Sequence, residues 1–95
     1  MNLNNLRNEI DAINAEIIAL LGKRLVVTKE IAKVKRQETL PVDDWEREKL
    51  QKQMLRELAK QNNLSPAIIE EMFTVFVNYS KMEMKMIMNE KEKIG

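Results

Sequence analysis

The chain has 95 residues with no cysteine and no histidine, and its 16 basic and 15 acidic side chains leave a net charge of +1. This composition excludes a thiol nucleophile, a disulfide framework, a Cys/His zinc site and a Ser-His-Asp triad. The near-neutral charge argues against nucleic-acid binding, since phosphate contacts normally require an excess of basic residues. Two glycines, two prolines and four aromatic residues in a chain that is 33% charged indicate an all-α protein of one domain.

The first predicted helix runs from about Leu3 to about Lys35 and ends before Pro41. Its apolar residues recur in steps of three and four, at Leu3, Leu6, Ile10, Ile13, Ile17, Leu20, Val27, Ile31 and Val34. At ~1.5 Å per residue this helix is roughly 50 Å long, whereas a compact globule of this size has a radius of gyration of ~13 Å. Either the helix folds back at Gly22 or a second chain packs against it. The unbroken repeat through Gly22 favours a homodimer with packed first helices.

Two shorter helices follow. The second opens at Asp43 or Asp44 with Glu46 placed to complete a capping box, and its apolar residues are Trp45, Leu50, Met54, Leu55 and Leu58. The third begins at Pro66 with Ser65 as its N-cap, and its apolar residues are Ile69, Met72, Phe73, Phe76 and Val77. We expect the charged tail, residues 83–95, to fray. The apolar stretches are too short for a membrane span and the N-terminus lacks a signal-peptide core, so we expect a cytoplasmic protein with no membrane partner.

A cation interrupts the apolar repeat of the first helix. Arg24 occupies the heptad position that is otherwise held by Leu3, Ile10, Ile17 and Ile31. One interpretation is a residue that sets the packing register or extends its charged end to water. The other is a site for an anion, because an unpaired buried charge is unfavourable and a carboxylate can bind a guanidinium through two hydrogen bonds. Lys35 follows about three turns later on nearly the same face.

Polar residues on the other two helices extend this pattern. Asp44, Arg47 and Glu48 share one face of the second helix, a spacing that is also typical of a solvated salt-bridge cluster. Ser80 lies on the apolar face of the third helix, where a hydroxyl often bonds to a carbonyl one turn earlier. Together with the two cations of the first helix, these residues predict a site for a small polyanionic ligand.

These segments resemble the all-helical (type II) chorismate mutases, including the mutase domain of bifunctional mutase-dehydratase proteins. The resemblance covers nearly the whole chain and is carried by LRNEIDAINAEIIALLGKR, EIAKVK, PVDDWEREKL and the third helix with Ser80. It implies a single domain over residues 1–95, with three-helix protomers intertwined as a homodimer. It also implies the [3,3] rearrangement of chorismate to prephenate in aromatic amino-acid biosynthesis. That reaction needs no nucleophile, metal or cofactor.

The resemblance assigns roles to three residues of the first helix. Arg7 would reach a substrate carboxylate in the partner's site, across the dimer. Arg24 would bind a carboxylate within its own chain's site. Lys35 would donate to the ether oxygen of the breaking bond, where negative charge develops. Such contacts select the compact substrate conformer and stabilise the transition state more than the ground state.

The second and third helices would surround the substrate's ring. By the same resemblance, Asp44 and Glu48 would hold the ring hydroxyl, Arg47 would support that corner, and Ser80 would bind a carboxylate. Met84, one turn after the serine, departs from the family, which usually has a glutamine that donates a second hydrogen bond to the ether oxygen. Losing such a donor typically lowers the rate about a hundred- to thousandfold, so the departure predicts a slow enzyme.

The departure at Met84 leaves several interpretations open. A protonated Glu83 would replace the donor and shift activity to acidic pH, Lys81 is another nearby donor, and otherwise Met84 only packs. A second possibility is an enzyme that acts on another chorismate-like acid, either a 4-amino-4-deoxychorismate mutase or an isochorismate-pyruvate lyase. The retained pair of Arg47 and Glu48 favours a mutase over a lyase. A third possibility is a non-catalytic helical dimer.

Overall fold

A computed structural model describes residues 2–94, with side chains for residues 2–90. Within this part of the chain, three α-helices follow one another: α1, Leu3–Glu38; α2, Trp45–Gln61; and α3, Pro66–Ile94. The predicted all-α class with a long first helix is therefore confirmed. α3 packs against both α1 and α2, whereas the backbones of α1 and α2 do not approach each other within the described residues. The third helix thus holds the other two in place.

The first helix is continuous over its whole length. The side chain of Asn2 caps it by accepting a hydrogen bond from the N–H of Asn5 at 2.8 Å. α1 passes through Gly22 without a break, and a Cβ at that position would meet open space. The molecule measures 61 × 27 × 15 Å with a radius of gyration of 17.1 Å, well above the ~13 Å of a compact globule. The chain therefore does not fold back to cover α1.

A left-handed residue ends α1. Thr39 has φ 59° and ψ 43°, and its N–H and that of Leu40 donate to carbonyls of the last helical turn, at 3.4 Å to Arg36 and 2.8 Å to Lys35. This arrangement satisfies carbonyls that would otherwise lack partners. Glycine is the usual residue in such a cap, whereas a β-branched residue is strained there. The sharp end of α1 directs the chain towards the start of α2.

Replacing Thr39 by glycine is expected to raise the free energy of unfolding by about 1 kcal/mol, because glycine adopts the left-handed conformation without strain. The measurement is urea unfolding followed by circular dichroism at a fixed protein concentration. Gln37→Gly is the matched control, since the same new residue inside α1 should destabilise by about 1 kcal/mol. Destabilisation by both variants would contradict the strain at Thr39.

The starts of α2 and α3 agree with the sequence except in one detail. Asp44 is the N-cap of α2, and its carboxylate accepts the N–H of Arg47 at 3.1 Å. The predicted capping box with Glu46 is wrong, because the box requires the acid three residues after the cap and Arg47 holds that position. Pro66 is the first residue of α3, and the Ser65 hydroxyl accepts a backbone N–H three residues later at 3.3 Å, as predicted.

α3 is helical as far as Ile94. The fraying expected for residues 83–95 stays a prediction, and residue 95 and the side chains of residues 91–95 lie outside the described part. None of the described helices combines the length and the apolar character that a bilayer crossing requires.

Most large apolar side chains of the described residues are exposed, and the buried apolar ones are Ala32, Ala59 and Met84. Two exposed stripes result. The α1 stripe is the predicted repeat, whose nine members are 40% to 62% exposed: Leu3, Leu6, Ile10, Ile13, Ile17, Leu20, Val27, Ile31 and Val34. The α3 stripe follows steps of four and three and consists of Ile68, Met72, Val75, Tyr79, Met82 and Met86. A soluble monomer rarely exposes apolar surface of this extent.

Candidate active site

Arg24 lies near the middle of α1, half-buried against α3. Its guanidinium carbon is 5.6 Å from the centroid of the Phe76 ring, within the range of a cation–π contact. Burial first, and then the positive charge of Arg47, lower the pKa of Arg24 below its usual value. An arginine stays protonated at neutral pH even so. A half-buried cation with a second positive charge in its surroundings is stabilised by an anionic ligand.

Lys35 connects the end of α1 to the segment before α2. Its half-buried ammonium donates a hydrogen bond to the carbonyl of Val42 at 2.8 Å. This bond uses one of the three ammonium hydrogens and leaves two for a ligand. Lys35 is also one of the charges that lower the pKa of Asp43, after larger contributions from Lys81. The predicted cation of α1 thus lies beside the segment that precedes α2.

A cluster of charges joins α3 to the start of α2. The Nζ atom of Lys81 lies 2.5 Å from Oε1 of Glu48 and 2.8 Å from Oδ1 of Asp43. It also lies 5.6 Å from the centroid of the Trp45 ring. Hydrogen bonds to Asp43 and Glu48 raise the pKa of Lys81, and the bond from Lys81 lowers the pKa of Asp43. The stabilisation from this pair is lost only as the pH falls through the lowered pKa or rises through the raised one, so it persists around neutrality.

One carboxylate oxygen of Glu48 has no hydrogen-bond partner among the described residues. Its Oε2 atom is buried and makes no hydrogen bond within the described structure. A buried carboxylate oxygen without a donor is unfavourable, so this atom can accept a hydrogen bond from a ligand. A cavity of about 460 Å³ between α2 and α3 is lined by both Glu48 and Lys81. Because its lining lacks Arg24 and Lys35, this cavity alone is not the complete candidate site.

Ser80 and Met84 are buried on α3, with 3% and 6% of their surface exposed. The Ser80 hydroxyl donates to the carbonyl of Phe76 at 2.9 Å, the local bond that the sequence allowed for. The oxygen of Ser80 can still accept a hydrogen bond, and the hydroxyl can rotate to donate to a ligand. Met84 presents a thioether, which is a weak acceptor and no donor. Glu83 is half-buried beside it.

Three of the predicted site residues, Arg7, Asp44 and Arg47, are exposed in the single chain. Asp44 is exposed and caps α2, which occupies one carboxylate oxygen. Arg7 is exposed on α1, and the helical rise puts it ~25 Å from Arg24 along the helix axis. Within one chain, Arg7 therefore cannot reach the anion that Arg24 would bind.

The sequence indicated Glu48 and Asp44 on the acidic side of the site, but it did not indicate the ion pairs of Lys81 with Glu48 and Asp43. The ammonium of Lys81, a predicted donor near the ligand, is bound by Glu48 and Asp43. For Asp43 the sequence predicts only a possible N-cap of α2. The two adjacent aspartates were a signal that one of them binds a cation. Only one of Asp43 and Asp44 can cap α2, so the carboxylate of the other is free for a cation.

Comparison with known proteins assigns the family. The family model for type II chorismate mutase matches residues 6–85. The chain is 31% identical over 85 residues to a chorismate mutase of Methanocaldococcus jannaschii, an alignment that covers 90% of this chain and 86% of that protein. It is 35% identical over 83 residues to a bifunctional chorismate mutase/prephenate dehydratase of Buchnera aphidicola subsp. Schizaphis graminum, and 37% identical over 78 residues to a T-protein of Haemophilus influenzae.

The last two alignments cover 87% and 82% of this chain but only 22% and 21% of those longer relatives. The region that matches the family model contains every predicted site residue, from Arg7 to Met84. The resemblance is thereby confirmed, and with it the expected class of enzyme, an isomerase. The chain belongs to the type II chorismate mutase family.

Proposed function

We propose that this protein is a homodimeric, cytoplasmic chorismate mutase, which rearranges chorismate to prephenate in aromatic amino-acid biosynthesis. The observation that carries the proposal is Arg24, a half-buried cation in cation–π contact with Phe76 that forms no salt bridge among the described residues and whose pKa is lowered by burial and by the charge of Arg47. A dicarboxylate substrate supplies the missing negative charge. Family membership supports the same reaction.

The proposed reaction is an intramolecular rearrangement in which a carbon–oxygen bond breaks and a carbon–carbon bond forms. No proton or group leaves the substrate, so the protein has only to hold the reactive conformer and stabilise the charge that develops. Arg24 and Ser80 bind carboxylate oxygens, and Glu48 accepts the ring hydroxyl at its free Oε2. Lys35 donates to the ether oxygen, with the Val42 carbonyl fixing the direction of its ammonium.

The dimer completes this site. Packing the α1 stripe and the α3 stripe against a second copy would bury the apolar surface that one chain leaves exposed. Arg7, ~25 Å from Arg24 on the same helix, would then enter the partner's site. This supports an intertwined arrangement in which each site takes residues from both chains.

The first experiment follows the disappearance of chorismate and the formation of prephenate with purified protein from pH 5 to pH 8. Turnover is expected near neutrality, and a rate that rises only at acidic pH would identify Glu83 as the donor that replaces the family's glutamine. No turnover at any pH in this range would contradict the proposed function and favour a non-catalytic helical dimer.

Mixing two inactive variants tests the shared site. Arg7→Ala and Arg24→Ala are each expected to lose most activity, because each lacks one carboxylate contact. When the two are unfolded and refolded together, about a quarter of the wild-type activity should return, since half of the dimers are mixed and each mixed dimer has one intact site. The matched control is each variant refolded alone. If Arg7 acts in its own chain's site, every site in the mixture lacks one arginine and no activity returns.

A further inference from the structure

Lys81 is placed where it controls what Glu48 can bind. Its ammonium holds one oxygen of Glu48 and one of Asp43, and the Trp45 ring lies against it. The side chain of Lys81 is only 21% exposed. Three separate contacts therefore keep its charge beside Glu48, and the partial burial of Lys81 reduces the screening of this charge by water.

We propose that Lys81 makes this site selective for a substrate with a neutral hydroxyl group, and against one with an ammonium group, at the ring carbon that faces Glu48. The inference rests on the proposed function, which brings the substrate's ring to Glu48. It separates two substrates that the sequence left open, chorismate and 4-amino-4-deoxychorismate, in which an amino group replaces the ring hydroxyl.

The charges around Glu48 and its free oxygen atom favour a hydroxyl over an ammonium. A hydroxyl needs a single acceptor, and the buried Oε2 atom of Glu48 is such an acceptor. An ammonium needs uncompensated negative charge. The two carboxylates, Asp43 and Glu48, would attract it strongly without Lys81, but with Lys81 one of their two charges is neutralised and a fixed cation lies within a few ångströms. The presence of Lys81 thus favours the hydroxyl by repelling its charged competitor.

The test compares kcat/KM for chorismate and for 4-amino-4-deoxychorismate in the wild type and in Lys81→Met. The wild type is expected to prefer chorismate. In Lys81→Met the ratio of kcat/KM for chorismate to kcat/KM for the amino compound should fall by about tenfold or more, because a like charge has been removed from a partly buried site. Lys81→Arg keeps the charge and should keep the preference for chorismate. Lys85→Met, one turn further along α3, removes a charge that acts on Asp43 only from a distance, and its preference should match that of the wild type.

A preference for the amino substrate in the wild type would overturn the inference, as would an unchanged preference in Lys81→Met. If Lys81→Met does not fold, as judged by circular dichroism, Lys81→Gln removes the charge while keeping a polar side chain, and the same comparison decides the matter. A wild type that turns over neither compound contradicts the proposed function itself. A wild type active on chorismate, with an unchanged preference in the uncharged variant, contradicts only the role of Lys81.

Discussion

Lys35→Ala is expected to lower kcat for chorismate by roughly a hundred- to thousandfold, the usual effect of removing one preorganised donor from a developing oxyanion. With Met84 providing no donor, Lys35 is the group that we assign to the ether oxygen. Its bond to the Val42 carbonyl holds the ammonium in one orientation before substrate arrives. Steady-state rates over a range of chorismate concentrations measure the effect.

Lys33→Ala is the matched control for Lys35→Ala. Lys33 lies on the same turn of α1, exposed and paired with Glu30 at 3.1 Å, and such surface pairs contribute little to stability. The kcat of Lys33→Ala for chorismate should equal that of the wild type. Because Lys35→Ala also removes the bond to Val42, urea unfolding must show that the protein remains folded, with a loss of about 1 kcal/mol. A folded Lys35→Ala variant with an unchanged kcat would contradict the assigned role.

Met84→Gln is expected to raise kcat by about a hundredfold, because the amide would restore a second hydrogen bond to the ether oxygen. Methionine and glutamine have similar lengths, so the new side chain can follow the path of the old one. In the absence of substrate, its amide would be buried without a guaranteed partner, which predicts a loss of stability of about 1–3 kcal/mol. The comparison requires kcat at saturating chorismate together with urea unfolding of both proteins.

Met54→Gln provides the same chemical change on α2, where Met54 is 56% exposed and belongs to neither exposed stripe, and it should leave kcat for chorismate unchanged. Glu83→Leu in the wild-type background tests the competing donor, because leucine has no group that can donate a hydrogen bond. A fall in activity at acidic pH in that variant would show that Glu83 already supplies the hydrogen bond. If Met84→Gln folds and shows no gain in rate, position 84 serves packing alone.

The helices could be predicted because their signals are local. Ser65 and Pro66 mark the start of α3 through backbone groups within one turn. The persistence of the apolar repeat through Gly22 outweighed the low helix propensity of that residue. The predicted capping box was wrong because the N-cap lies one residue later than the box requires. Asp43 and Asp44 are both acceptable caps, and only their surroundings determine which of them caps α2. Those surroundings include Lys81, far away in sequence.

The candidate site could be predicted only in part, because its contacts depend on side chains that meet across helices. The interrupted repeat marked Arg24 from α1 alone. No pattern within α3 predicts that Lys81 binds Asp43 and Glu48. The contact between the Phe76 ring and Arg24 is equally unpredictable from α3 alone. Such pairings are set by the rotation of α3 between α1 and α2, which the sequence of α3 alone does not determine.

The unbroken course of α1 has a consequence for how its sequence can vary. In the proposed dimer, each α1 helix carries Arg7 for one site and Arg24 for the other, so it fixes the spacing between parts of two active sites. Inserting or deleting one residue between them would rotate Arg7 by about 100° and shift it by about 1.5 Å relative to Arg24. Substitutions in this stretch can be compensated by repacking. A change of length cannot, because a continuous helix has no loop in which to absorb it.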